Sequence, residues 1–135
     1  MGAPFVTTQR LRFCDTDAAG HVNNAVYAMM CEAGRAELAH ACGLLAPRSG
    51  HVVVIARLEL DFLREMSWPG DVRIETEVAR IGTKSFHLRQ RVVQGGVLVA
   101  RAASVLAMMD TQSRRAVPLT ADWRAALAPY ATGAD

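Results

Sequence analysis

The sequence predicts an α+β fold, a five-stranded antiparallel sheet wrapped around one long helix, in a single domain covering 1–135. Two observations carry this. Apolar residues recur at helical spacing over about Asn24 to Cys42, then switch to an alternating period of two for most of the remaining chain. The alternating segments are joined by short turns, and short connections force antiparallel neighbours, because parallel strands need crossovers. Each such strand has one apolar face, and a single long helix is available to cover it.

Taken in order, "FVTTQRLRF" (Phe5 to Phe13) is rich in Thr, Val and Phe and reads as a first strand. A polar loop follows, "CDTDAAGHVNN". In the helix after it, Tyr27, Met30, Cys31, Gly34, Leu38 and Ala41 share one face. Glu32, Arg35 and His40 fall off that stripe, with Glu32 and Arg35 at i,i+3 spacing. Gly43 stops the helix, and "LLAPRSGH" reads as a loop. "ARLELDFLREM" then sets Leu58, Leu60 and Phe62 against Arg57, Glu59 and Asp61. After the turn "WPGD", "DVRIETEVARIG" and "KSFHLRQRVVQ" alternate in the same way. Gly95-Gly96 is a hairpin signal before the last strand, "VLVARAASVLAMMD". "ADWRAALAPY" closes the chain as a short helix.

Composition excludes several classes. The chain has 135 residues, 51% hydrophobic and 21% charged, with a net charge of +2. Its basic residues are scattered, so no nucleic-acid partner is expected. No run approaches the roughly 20 apolar residues of a membrane span, and the start lacks a signal-peptide core. Cys14, Cys31 and Cys42 are odd in number and lack metal-type spacing, which fits reduced thiols in the cytoplasm.

The loop before the helix holds the densest set of reactive groups. "DTDAAG" opens like a calcium loop, but Val26 stands where the twelfth-position Glu belongs. Asp15, Asp17 and His21 lack a second ligand cluster, so no metal and no cofactor is expected. Cys14 with His21 is set aside as a thiol dyad, since a cysteine ending a strand is usually packed as an apolar group. Asp15 suits a turn, and Asn23 or Asn24 a helix N-cap. What remains is a carboxylate, Asp17, and an imidazole, His21, close before a helix N-terminus. Free N–H groups there suit a developing oxyanion, presented from Gly20 to Asn24. A carboxylate beside them can attack an acyl carbonyl or activate water against it. With no evident Ser-His-Asp set, the kit suits a leaving group that needs little protonation. A thiol, of pKa near 8.5, is such a group.

"RFCDTDAAGHVNNAVYAMMCEAGR" resembles the DxDxxGHVNNxxY signature of hotdog-fold acyl-CoA thioesterases of the 4-hydroxybenzoyl-CoA thioesterase type. The likeness continues through "ARLELDFLREMSWPGD" and "RIGTKSFHLRQRV", over about Thr8 to Asp110. It implies Asp17 as nucleophile or general base, and the first helical turn near Asn24 as the group polarising the thioester carbonyl. His21 and Asn23 would position water or substrate or fix the loop, with Gly20 and Tyr27 beside the substrate. It also implies two subunits pairing their sheets with each site between them, hence self-association to a dimer or tetramer. An acyl-CoA substrate carries phosphates that favour basic residues; the candidates are Arg57, Arg64, Lys84, Arg89 and Arg91, with "GTKS" through Ser85 as the loop. Hydrolysis of acyl-carrier-protein thioesters, or acyl-CoA binding without chemistry, are the alternatives.

Overall fold

Seven elements follow the sequence pattern closely in the second half of the chain and less closely in the first. The structure, a computed structural model, describes residues 2–46 and 48–133. The elements are β1 (Phe5–Arg10), α1 (Asn24–Ala41), β2 (His51–Phe62), β3 (Asp71–Ile81), β4 (Ser85–Gln94), β5 (Val97–Asp110) and α2 (Ala121–Leu127). Pro47, within the expected loop after α1, lies outside the described residues.

The sheet is antiparallel throughout, in the order β1-β3-β4-β5-β2. Its hairpin between β4 and β5 turns on Gly95 and Gly96, at φ of 57° and 77°. Left-handed backbone at both central residues matches the twist of the flanking strands, which is why Gly-Gly serves there. Val72, Ile74, Thr76 and Val78 of β3 and Phe86, Leu88, Gln90 and Val92 of β4 are buried on the face that meets α1. Arg73, Glu75 and Glu77 of β3 and Arg89 and Arg91 of β4 lie on the other face in a chain of ion pairs. Because the side-chain period of a strand is two, that division is set by the register alone.

Against this sheet α1 lays Tyr27, Met30, Cys31, Gly34 and Leu38, the predicted stripe. Burial pushes the Cys31 thiol up to about 11, so it is an inert packing group. Two core clusters result. One joins Val22, Val26 and Tyr27 to Val72, Val92 and Val99; the other joins Leu38 to Phe86, Met108 and Leu127.

Four expectations are corrected. The first strand ends at Arg10, because Leu11 N–H bonds to Gly70 O and the chain then makes a 3₁₀ turn at Phe13–Asp15. Cys14 lies in that turn and is exposed, not packed. β2 begins at His51, ahead of the alternating run, because "HVVVI" pairs with β5 although its pattern does not alternate. Arg35 is buried at 8% exposure, while Ala41 is exposed. The sheet covers more of the helix than the apolar stripe alone, so a polar residue flanking the stripe is enclosed.

Candidate active site

The loop between β1 and α1 is a small hairpin built from its own polar groups. Asp15 is buried; its carboxylate accepts from Arg12 N–H at 2.7 Å and from the Arg12 guanidinium at 3.1 Å. Its carbonyl accepts from Asn23 N–H at 2.9 Å. Thr16 and Val22 pair as an isolated bridge, and Asp17 N–H donates to His21 O at 2.8 Å. Gly20 makes the reversal at φ 80°, where an L side chain would be strained.

Asp17, Gly20, His21, Asn23 and Asn24 are thereby gathered at the head of α1. The exposed Asp17 carboxylate accepts from Ala19 N–H at 2.9 Å and His21 N–H at 3.2 Å, both at Oδ1. Its Oδ2 has no partner among the described residues. The His21 ring points elsewhere, with Nε2 3.5 Å from a Glu65 carboxylate oxygen. Asn23 is the N-cap, its side chain accepting from Ala25 N–H at 2.9 Å. The neighbouring Asn24 N–H has no partner among the described residues. An ordinary helix start leaves several such donors open; here the cap satisfies Ala25 and leaves Asn24 exposed to solvent. Among the described residues no group of three His, Cys, Asp or Glu side chains could hold a metal ion.

Tyr27 has a different place. It is buried at 4% exposure, donates to Arg64 O at 2.9 Å and accepts from Met66 N–H at 3.0 Å. Its ring meets Phe62 edge-on at 5.2 Å. It ties α1 to the segment after β2.

Of the basic candidates, Arg64 adjoins the hairpin, next to the Glu65 that His21 reaches, whereas Lys84, Arg57, Arg89 and Arg91 are not gathered near Asp17 within one chain. His21 reaches Glu65, and Leu11 reaches Gly70, so the hairpin sits where β3 begins. Lys84 and Ser85 follow the far end of β3, whose length of 11 residues spans roughly 33 Å. Arg57 pairs with Glu59, and Arg89 with Glu77 at 2.8 Å, on the outer face of the sheet.

A groove of about 370 Å³ runs between α1 and the middle of β2, walled by Ala28, Met29, Ile55 and Leu58 with Glu32 and Arg35. A smaller one of about 200 Å³ adjoins it, sharing Glu32, Arg35 and Ile55 and adding Ala39, Val53 and Leu106. Neither is lined by Asp17, His21, Asn23 or Asn24. Sequence reasoning saw Glu32 and Arg35 only as a surface pair; the usable signal was that i,i+3 spacing beside an apolar stripe. The two form no ion pair, since no carboxylate of the described residues is within 4.0 Å of the Arg35 guanidinium.

The family profile of the thioesterase-like superfamily matches residues 11–127. The chain belongs to the thioesterase-like superfamily. Among solved structures, a predicted thioesterase from Bacillus stearothermophilus is similar at 31% identity, with 96% of this chain and 97% of that one covered and a TM-score of 0.88. A Pseudomonas aeruginosa protein, PA5185, shares the fold at 21% identity, covering 98% and 95%, with a TM-score of 0.90. A 1,4-dihydroxy-2-naphthoyl-CoA thioesterase from Synechocystis shares the fold at 17% identity, covering 93% and 96%, with a TM-score of 0.82. A search of curated proteins finds no match. Membership of this thioesterase superfamily agrees with the hotdog-type likeness of the motif, and it supports thioester hydrolysis as the class of reaction. No helix of the described residues is long and apolar enough to cross a membrane.

Proposed function

We propose that this chain is a cytoplasmic acyl-CoA thioesterase, a single catalytic domain that works as a dimer. The observation that carries the reading is the pairing, in one short hairpin, of a carboxylate with an open lone pair on Asp17 Oδ2 and an unbonded N–H on Asn24. The thioester carbonyl oxygen accepts from the Asn24 N–H, aided by the positive end of the α1 dipole. Asp17 then attacks the carbonyl carbon, or takes a proton from the water that does. The C–S bond breaks, and CoA leaves as a thiolate without needing an acid. On the nucleophilic route water then hydrolyses the mixed anhydride left on Asp17, which frees the carboxylic acid and restores the carboxylate. His21 and Asn23 hold the hairpin in shape. The direct test is a spectrophotometric screen for thiol release with acyl-CoAs of graded length. Activity on at least one of them is expected, and a zero rate on all would overturn the reading.

The dimer is supported by β2. It is an edge strand of 12 residues, and Val52, Ile55, Leu58 and Phe62 along it are exposed. A long apolar edge left open invites another strand. Two-fold antiparallel pairing at that edge would also bring one subunit's Lys84 end toward the other's Asp17 hairpin, completing a site that one chain leaves divided. Sedimentation at micromolar concentration should give a dimer or tetramer. The variant Val52→Asp, on the same edge and outside the groove that Ile55 and Leu58 wall, should give a folded monomer without hydrolytic activity; an active monomer would count against the shared site.

Lys84 stands in the turn between β3 and β4 and makes no ion pair among the described residues. If it meets a CoA phosphate, Lys84→Ala raises KM several-fold and leaves kcat nearly unchanged, because the contact is equal in ground and transition states. Acyl-pantetheine, which lacks the nucleotide, should show no such change. Arg89 and Arg57, already paired with Glu77 and Glu59, should contribute less.

A further inference from the structure

Arg35 is the group in this molecule whose surroundings least explain it. Its side chain lies under the groove between α1 and β2, at 8% exposure. A guanidinium carries five N–H donors, yet the described structure gives it one hydrogen bond, to the neutral Gln90 Oε1 at 3.4 Å. No carboxylate stands within ion-pair distance. Burial lowers its pKa, while the nearby Cys31 and Glu32 side chains act in the opposite direction. Buried charges in folded proteins are ordinarily paired, because an uncompensated one costs several kcal/mol.

The groove above it has the size of a small-ligand site, at about 370 Å³, within the roughly 300–1,000 Å³ such sites span. Ala28, Met29, Ile55 and Leu58 make its walls apolar. Of its charged lining, Arg57 is already paired with Glu59, and Glu32 is exposed to solvent. An occupant therefore meets apolar walls and one buried, undercompensated cation. The planar fork of a guanidinium matches a carboxylate, which it can hold through two parallel bonds.

We propose that this groove receives the acyl part of the thioester, and that Arg35 selects acyl groups ending in a carboxylate over plain alkyl chains of the same length. The substrates would be monothioesters of dicarboxylic acids, a statement that rests on the thioesterase reading above. Arg35 is a specificity residue; it lies away from the reacting carbonyl and takes no part in bond breaking.

The test uses two non-hydrolysable thioethers of CoA, one S-alkyl and one S-(ω-carboxyalkyl) of equal length, with binding measured by titration calorimetry on the full chain. Wild type should bind the carboxylated analogue about 10-fold tighter or more, the scale of a charge-assisted pair. Arg35→Met should erase that preference. Glu32→Gln, at an exposed position, should sharpen it a few-fold by removing a like charge near the ligand. It also serves should Arg35→Met fail to fold. Equal binding of the two analogues by wild type, or no binding of either, would overturn the proposal. So would loss of the preference in Glu32→Gln, which would make Glu32 the working partner of Arg35. A change in oligomeric state with the preference intact in Arg35→Met would also overturn it, assigning the guanidinium to a subunit contact. Hydrolysis of plain acyl-CoAs with no preference in binding would sink this inference while the thioesterase reading stands; preference in binding without hydrolysis of any thioester would do the reverse.

Discussion

Asp17→Asn should lower kcat for thioester hydrolysis by roughly 10²-fold or more, about 2.7 kcal/mol of barrier, with KM near wild type. The substitution separates chemistry from architecture. An Asn side-chain oxygen can still accept from Ala19 N–H and His21 N–H, the two bonds that Asp17 Oδ1 takes now at 2.9 and 3.2 Å. The hairpin therefore keeps its shape, and only the charge and basicity at the Oδ2 position are lost. Asp17→Ala would lose both and is the less informative change. His21→Ala should cost much less. Its backbone N–H and carbonyl serve the hairpin, but its ring lies toward Glu65 and not toward Asp17. If Asp17→Asn retains most of the rate and His21→Ala abolishes it, the histidine is the base. Melting temperatures of both variants should stay close to wild type, which shows that the loss is chemical.

The contrast between these two residues shows what a sequence can disclose about such a site. The motif places Asp17 and His21 four positions apart without saying where either side chain points. That is decided by the Thr16–Val22 bridge and by Glu65, a residue 44 positions beyond His21 in the chain. The N-cap at Asn23 was legible, because an amide before an apolar helical run has few other uses. The groove was not. It exists where the second to fourth turns of α1 face the middle of β2, and no local pattern encodes that meeting.

The sheet divides in the same way. β3 and β4 are legible to within a residue or so because each alternates and ends at a turn residue, and β5 is legible because the Gly95-Gly96 turn opens a long apolar run. β2 hides its first half, "HVVVI", because its valines are apolar on both faces and so show no alternation, with Val53 packed on the core and Val54 half-buried beside it. Tyr27 was read as both stripe and substrate contact. Its position on the stripe is observed, and its hydroxyl bonds to the backbone at Arg64 and Met66. The sequence sets Arg35 off the apolar stripe, yet it stands four residues after Cys31 and three before Leu38, both buried on the same side of the helix.

Gly34→Ala should destabilise the fold by about 1–3 kcal/mol, even though alanine is the better helix former by about 1 kcal/mol. A Cβ at position 34 would stand 2.7 Å from Ile74 Cγ2, 2.9 Å from Gln90 Nε2 and 3.1 Å from Thr76 Oγ1. None of these can retreat freely. Ile74 is wholly buried. Gln90 Nε2 donates to Cys31 O at 2.9 Å and to Thr76 Oγ1 at 3.0 Å, so moving it leaves buried polar groups unpaired. Helix propensity and packing thus oppose each other, and packing wins because the displaced atoms are already committed to hydrogen bonds. Thermal unfolding should show the melting temperature lowered by several degrees. Gly34→Val, with two further methyl groups in the same space, should lower it further. A variant as stable as wild type would mean that α1 can lift off the sheet at this point without loss. That outcome would also undo the claim that Gln90 is held in place beneath Arg35.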